Sequence, residues 1–166
     1  MSSFGCSIVG HHTHILSSRN QEALNQVKIK CDQLSSKEST ALVLPYDALD
    51  ESALPQLVED AKNYRGRIDY LINNAGISQR SGILETELST YRKLIDVDVI
   101  APIALTKAVL PIMIEQNAGH IAVTSSVAGK LGVPFRTGYC AAKHAVMGFF
   151  DALRTEVFQH NIKVST

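Results

Sequence analysis

The chain of 166 residues lacks the features that mark several large classes of protein. It has no tryptophan and only three cysteines, and its 16 basic residues balance its 16 acidic residues, so the formal net charge is zero. A neutral chain has no broad field that attracts a polyanion, so nucleic acid is not expected as a partner. The odd, widely spaced cysteines form neither a disulfide framework nor a CxxC metal site, which is typical of a reducing compartment.

Signals for membrane insertion, secretion and metal binding are also missing. No uninterrupted apolar run reaches about 18 residues, so we expect no transmembrane segment. The first twenty residues lack a basic start and contain His11, His12 and His14, so they do not resemble a signal peptide. The histidines have no further ligands at site spacing, so no metal site is expected. The predicted location is the cytoplasm or the cytosolic face of an intracellular membrane, and not the outside of the cell.

Short β-branched runs alternate with helix-period stretches along the whole chain, with no repeat and no linker. This predicts a single domain over residues 1–166. The predicted strands lie at residues 14–18, 41–44, 68–72, 121–124 and 162–164. The helical stretch 85–116 is expected to be interrupted at Pro102 and Pro111, because proline cannot donate the helical hydrogen bond. Strands without strict alternation, separated by helices, predict an α/β fold with a doubly wound parallel sheet.

In such a sheet, ligands bind beyond the carboxyl ends of the strands, so the polar residues that follow each strand are the functional candidates. These residues are Ser18 and Arg19, Asp47, Asn73 and Asn74, and Thr124 to Ser126. The strongest constellation joins Ser126 to Tyr139 and Lys143, which lie four residues apart on one predicted helix and share a face. An ammonium one turn away stabilises a phenolate, so Tyr139 can donate or accept a proton. Together these groups suit carbonyl/alcohol interconversion.

The sequence Asn73-Asn74-Ala75-Gly76 follows one predicted strand, Ser126 follows the next, and Tyr139 comes thirteen residues later. This order and spacing resemble the short-chain dehydrogenase/reductase family. The resemblance implies a Rossmann-like oxidoreductase with Ser126, Tyr139 and Lys143 as catalytic residues and a small carbonyl or alcohol substrate. Lys143-His144-Ala145 and residues 149–154 look closest to the microsomal branch that acts on steroids, retinoids and similar lipophilic carbonyls.

The resemblance also implies a set of cofactor-binding residues. They are Ser18, Arg19, Asp47, Asn74, Gly76, Tyr139 and Lys143. Arg19 stands where members that prefer NADP place a cation for the 2′-phosphate, so NADP(H) is expected over NAD(H). The alternatives are a solvated arginine for Arg19 and a turn-capping carboxylate for Asp47.

Three departures from the family pattern put activity in question. Asp98 stands where the family has a catalytic asparagine, and a carboxylate only accepts hydrogen bonds and adds charge near Lys143. The glycine-rich turn TGxxxGxG is absent, and although Cys6 to Val9 could form a strand, the link from Gly10 to Thr13 is too short for a parallel crossover. We therefore expect a sheet without its central first strand. The chain also stops at Thr166 inside the predicted last strand, before the family's substrate loop.

Two main interpretations remain open, beside a third possibility, which is an incomplete gene product with no stable fold. In the first, the chain is an NADP-dependent oxidoreductase that forms a homodimer through its two long helices. That dimer is expected because the second helix carries more apolar surface than one sheet contact can cover. The residues concerned are Ala142, Val146, Phe149, Phe150, Leu153 and Val157. In the second interpretation, the chain is an inactive truncated isoform that acts by pairing with a full-length partner.

Overall fold

The structure, a computed structural model, describes residues 6–10, 13–34 and 41–166. These residues form one six-stranded sheet with helices packed against it. The strands are β1 (Cys6–Gly10), β2 (Thr13–Ser17), β3 (Leu42–Val43), β4 (Tyr70–Asn73), β5 (Gly119–Val123) and β6 (Ile162–Ser165). The helices are α1 (Gln21–Leu34), α2 (Leu54–Arg65), α3 (Leu88–Ile95), α4 (Ala101–Gln116) and α5 (Thr137–Glu156).

The order of strands across the sheet is β3-β2-β1-β4-β5-β6, and the Rossmann-like α/β prediction is confirmed. The pairs β2–β3, β4–β5 and β5–β6 are parallel, so these strands end at one edge of the sheet. The main core lies between the sheet and helices α2, α4 and α5, where Leu71, Val109, Ile121 and Phe150 are fully buried. The sheet thereby holds the loops after β2, β4 and β5 side by side at its carboxyl edge.

Strand β1 corrects the expectation that the central strand is missing. It lies between β2 and β4 and keeps the sheet continuous, but it runs antiparallel to both. Only residues 11 and 12 separate Gly10 from its partner Thr13, and a link of that length permits an antiparallel hairpin but no parallel crossover. The sheet is therefore mixed rather than wholly parallel. Strand β6 is also formed over Ile162–Ser165, so the last strand is present to that extent.

The expected interruptions at Pro102 and Pro111 do not occur, because residues 88–116 form one continuous helix. A π-helical turn (Asp96–Ile100) joins α3 to α4, and the Ala101 N–H donates to the carbonyl of Asp96, five residues back. This shift widens the helical turn where the ring of Pro102 would otherwise clash with the carbonyl group four residues earlier. The same turn brings Asp98 into the interior of the protein.

By length and composition alone, the helix Leu88–Gln116 is apolar enough to cross a membrane, contrary to the expectation from uninterrupted runs. In the structure, 44% of its most apolar stretch is buried inside the fold, with Leu105, Val109 and Met113 in the core. Core helices of globular proteins pass the same test, so this is weak support for membrane insertion.

The apolar face of α5 is covered by the chain's own sheet and α3, which removes the argument made from it for dimer formation. Ala142, Val146, Phe150, Leu153 and Val157 are all buried, and Phe149 packs against the same core. A periodic apolar face predicts that something covers it, but the pattern does not distinguish the chain's own sheet from a second chain.

Candidate active site

The ends of β4 and β5 are joined directly at the carboxyl edge of the sheet. The Thr124 N–H donates to the carbonyl of Asn73 at 2.8 Å, and the Thr124 hydroxyl donates to Oδ1 of Asn74 at 2.8 Å. The amide of Asn73 is buried and donates to the hydroxyl of Thr106 on α4 at 3.0 Å. These bonds fix the two strand-end segments that carry Gly76 and Ser126.

Lys143 projects from α5 into this edge and is almost completely buried. Its ammonium donates to the carbonyl of Thr124 at 3.2 Å and lies 3.7 Å from Oδ2 of Asp98. A Cβ atom on Gly76 would lie 3.6 Å from that ammonium and 3.4 Å from Oδ1 of Asp98. The loop after β4 therefore passes within van der Waals distance of the charged pair.

Asp98 and Lys143 form a buried ion pair. The family resemblance implied only that Asp98 adds charge near the lysine. The exposed fractions of the two side chains are 0% and 7%. Oδ1 of Asp98 accepts a hydrogen bond from the Ile77 N–H at 2.7 Å, whereas Oδ2 has no hydrogen-bond partner among the described residues. Burial raises the pKa of Asp98 above its usual range, although the Ile77 N–H and the Lys143 charge act in the opposite direction.

Tyr139 lies one turn before Lys143 and is flanked by two cations. The Lys143 ammonium and the Arg136 guanidinium are each 5.7 Å from the centre of its ring. Arg136 also donates to the hydroxyl of Ser78 at 3.1 Å, which ties the start of α5 to the loop after β4. The phenol is half-buried beside these two positive charges.

Ser126 begins the short 3₁₀ turn Val127–Gly129, and its hydroxyl oxygen accepts a hydrogen bond from the Ala128 N–H at 3.2 Å. This turn packs on α5, since a Cβ on Gly129 would lie 2.9 Å from the backbone oxygen of Lys143. The turn that Ser126 caps therefore touches the helix that carries Tyr139 and Lys143. A distance of a few ångströms between the Ser126 and Tyr139 hydroxyls stays a prediction.

A cleft opens beside these residues at the carboxyl edge of β2, β3 and β4. It is lined by Ser17 to Arg19, Tyr46 to Leu49, Asn73, Ala75 to Ile77, Lys93, Val97, Ala101, Pro102 and Leu105. Four of the cofactor-binding candidates, namely Ser18, Arg19, Asp47 and Gly76, line this cleft, whereas Asn74, Tyr139 and Lys143 do not. Gly76 connects the cleft to the buried ion pair. The carboxylate of Asp47 accepts the Leu49 N–H at 3.1 Å, so it caps a turn as well as lining the cleft.

Several polar groups that line the cleft suit a nicotinamide dinucleotide. The hydroxyl of Ser17 is buried and has no hydrogen-bond partner among the described residues, although it lines the cleft. Arg19 and Lys93 line the cleft as exposed cations, and no ion pair found in ranges 13–34 and 41–166 involves either of them. Gly76 presents no side chain to a ligand. Ribose hydroxyls and phosphates fit this set of groups.

The sequence did not identify Arg136 or Lys93 as site residues. Arg136 precedes Tyr139 by three positions, so its place on the same helical face was a usable signal. Lys93 gave no signal, because the π turn after α3 sets which face of that helix meets the cleft. His11 and His12 lie outside the described residues, and within the described part of the chain no group of three or more histidine, cysteine or acidic side chains is close enough to hold a metal.

Comparison with known sequences gives a consistent result. The model of the short chain dehydrogenase family matches residues 9–166. The human protein named dehydrogenase/reductase SDR family member 7 is 44% identical over 144 residues, covering 86% of this chain and 42% of that protein. The mouse family member 7B is 39% identical over 152 residues, covering 91% and 47%. The chain thus spans about half the length of these relatives.

Solved structures share the same fold. A metagenomic short-chain oxidoreductase in complex with NADP is 30% identical with a TM-score of 0.84, covering 91% of this chain and 67% of that one. An NAD⁺-bound xylitol dehydrogenase is 27% identical with a TM-score of 0.85, covering 91% and 58%. Chains with this architecture therefore bind either form of the nicotinamide cofactor.

Proposed function

The chain belongs to the short-chain dehydrogenase family, and on that basis we propose that it carries the catalytic residues for NADP-dependent interconversion of a carbonyl and an alcohol. The observation that carries the proposal is the arrangement at Lys143. Its buried ammonium is fixed by Thr124 and Asp98, lies 5.7 Å from the Tyr139 ring, and borders the cleft through Gly76. This combination is needed to move a proton beside a bound dinucleotide.

Each residue has a separate role in this proposal. Tyr139 donates a proton to the substrate oxygen in reduction and takes it back in oxidation, while Lys143 and Arg136 place positive charge beside its ring. The hydroxyl of Ser126 accepts from the Ala128 N–H, so its own O–H stays available to donate to the substrate oxygen. A bound nicotinamide supplies the hydride. Gly76 leaves room for close approach of the cofactor beside the ion pair.

Cofactor preference provides a first test. Replacing Arg19 with alanine is expected to weaken NADPH binding about tenfold and to leave NADH binding nearly unchanged, because only NADPH carries a 2′-phosphate for the cation. The measurement is the quenching and blue shift of NADPH and NADH fluorescence on titration with protein. Lys30→Ala, which removes a positive charge from the exposed surface of α1, is the control. Equal losses for both cofactors would show that Arg19 does not read the phosphate.

We propose a lipophilic substrate. Apolar side chains remain exposed on two segments beside the site, residues 82–88 and 127–136, and Leu84, Val127 and Phe135 are examples. Ser81, directly before the first segment, donates its N–H to the carbonyl of Phe135 in the second segment at 3.0 Å, and this bond links the two segments. Val127 directly follows Ser126. An apolar rim of this kind favours a hydrophobic carbonyl compound over a sugar.

An alternative proposal is a catalytically inactive isoform that acts by pairing with a full-length partner. The antiparallel direction of β1 favours it. Gly10, at the carboxyl end of β1, lies at the edge of the sheet opposite the site, so no phosphate-binding turn follows β1 at the cleft. Asp98 in place of an asparagine points the same way. The two proposals are separated by the activity experiment described below.

We also propose self-association through the long helices, although on a narrower surface than the sequence predicted. The large apolar residues left exposed on the helix 88–116 are Leu88, Ile100 and Ile114. Replacing Ile100 and Ile114 with glutamate is expected to shift the chain from dimer to monomer, because a buried unpaired charge opposes association. Light scattering at micromolar concentration measures this. A strictly monomeric unmodified chain would contradict the proposal.

The proposed location is inside the cell, in the cytoplasm or on the cytosolic face of an internal membrane. Cys31 and Cys140 are free thiols in the structure, which suits a reducing compartment.

A further inference from the structure

The cleft is lined by two cations from different elements. Arg19 follows β2, whereas Lys93 lies on α3, one helical turn before Val97. Both side chains are exposed. None of the ion pairs found in the described ranges involves Lys93, so its ammonium is not held by a carboxylate of the described chain.

The charge of the cleft is positive in a chain whose net charge is zero. Its charged lining residues are Arg19, Lys93 and Asp47. The one carboxylate among them already accepts the Leu49 N–H, which reduces its availability to pair with either cation. Two exposed cations that line one cleft favour the binding of an anion there.

We propose that Lys93 is a second phosphate-binding residue of this cleft, in addition to Arg19. The inference rests on the proposed binding of a nicotinamide dinucleotide and adds one residue to that site. Such a cofactor carries a pyrophosphate in either form and a 2′-phosphate in one form only. Because no turn follows β1 at the cleft in the described part of the chain, the pyrophosphate is left to side-chain partners, and the proposal assigns Lys93 this role.

A pair of adjacent variants tests this proposal. Lys93→Ala and Arg92→Ala remove the same charge from neighbouring positions of α3, but Arg92 lies on another face, beside Leu88 and Ile95, and does not line the cleft. Binding of NADPH and NADH is followed by fluorescence titration at low and moderate salt. We expect Lys93→Ala to weaken both cofactors about fivefold and to flatten the salt dependence, because one exposed charge contact is lost. Arg92→Ala is expected to stay within twofold of the unmodified chain.

The outcomes are distinct. A loss of NADPH binding alone assigns Lys93 to the 2′-phosphate, and an equal loss for both cofactors assigns it to the pyrophosphate; either result supports a phosphate contact. Equal behaviour of Lys93→Ala and Arg92→Ala overturns the inference while leaving the proposed cofactor binding intact. No binding of either cofactor by the unmodified chain overturns both. Lys93→Arg is expected to restore affinity, and matching thermal unfolding midpoints exclude a folding defect.

Discussion

Replacing Lys143 with methionine is expected to lower the free energy of unfolding by about 3–5 kcal/mol at neutral pH, because it leaves a buried carboxylate without its partner. Asp98 has no solvent-exposed side-chain surface, and its Oδ2 has no hydrogen-bond donor among the described residues. Methionine fills a volume close to that of lysine, so packing changes little. Urea unfolding followed by circular dichroism measures the loss.

The double variant Lys143→Met with Asp98→Asn separates charge from packing. It removes both members of the ion pair, and its stability is expected to return to within about 1–2 kcal/mol of the unmodified chain, because replacing a buried pair is often near neutral. A double variant as unstable as Lys143→Met alone would show that Lys143 stabilises the fold through packing and not through its pair with Asp98.

The destabilisation by Lys143→Met should depend on pH in a defined direction. Burial raises the pKa of Asp98 above the ordinary value of 3.8, so the folded state holds this proton more tightly than the unfolded state does. The stability that the protonated carboxyl contributes is therefore complete at pH values below the pKa of Asp98 in the unfolded state. It is lost as the pH rises through the pKa of Asp98 in the folded state. Without Lys143 the pKa of Asp98 rises further, so the deficit should be largest at neutral pH and shrink as the pH falls toward 4.

Much of the fold could be predicted because the spacing of apolar residues along the chain indicates which faces of the helices and strands are buried. The strands at β2, β4 and β5 and helix α5 lie within a few residues of their expected positions. The direction of β1 could not be predicted from its residues, because Cys6 to Val9 have the same pattern in either direction; the short link to Thr13 determined it. The continuous helix through Pro102 depends on a shift of backbone hydrogen bonds in the π turn, which side-chain patterns do not record.

The residues of the site also fall into those that the sequence could predict and those that it could not. Polar residues directly after strands, such as Asn74, Thr124 and Ser126, could be located because parallel strands end at a common edge. The spacing of Tyr139 and Lys143 placed them on one face of a helix. The approach of Asp98 to Lys143 was expected only from the family resemblance, since 44 residues intervene between them. Lys93 could not be found, because its position in the cleft depends on how α3 packs.

The largest change in turnover is expected from the segment that precedes Thr13. In the structure β1 runs antiparallel, so its carboxyl end and Gly10 lie away from the cleft, and among the described residues no strand–helix turn follows β1 at that edge to offer backbone N–H groups to a phosphate. Hydride transfer requires the nicotinamide to be held against the substrate carbon, and a displacement of about 1 Å can reduce the rate about 100-fold. The unmodified chain is therefore expected to show little or no turnover.

The experiment replaces residues 1–12 with a parallel strand, glycine-rich turn and helix taken from a homologous oxidoreductase and extends the chain beyond Thr166 with the homologous segment. NADPH oxidation is followed with lipophilic ketones, aldehydes and quinones, and turnover is expected to rise at least about 100-fold. Two controls belong to the extended protein: alanines in place of the turn glycines, which block close approach of the phosphates, and Tyr139→Phe, which removes the proton donor and should reduce the rate at least about 100-fold. Comparable rates before and after the replacement would show that the antiparallel strand does not limit catalysis. If both proteins are inactive and Asp98→Asn restores the extended one, the carboxylate beside Lys143 is the limiting feature.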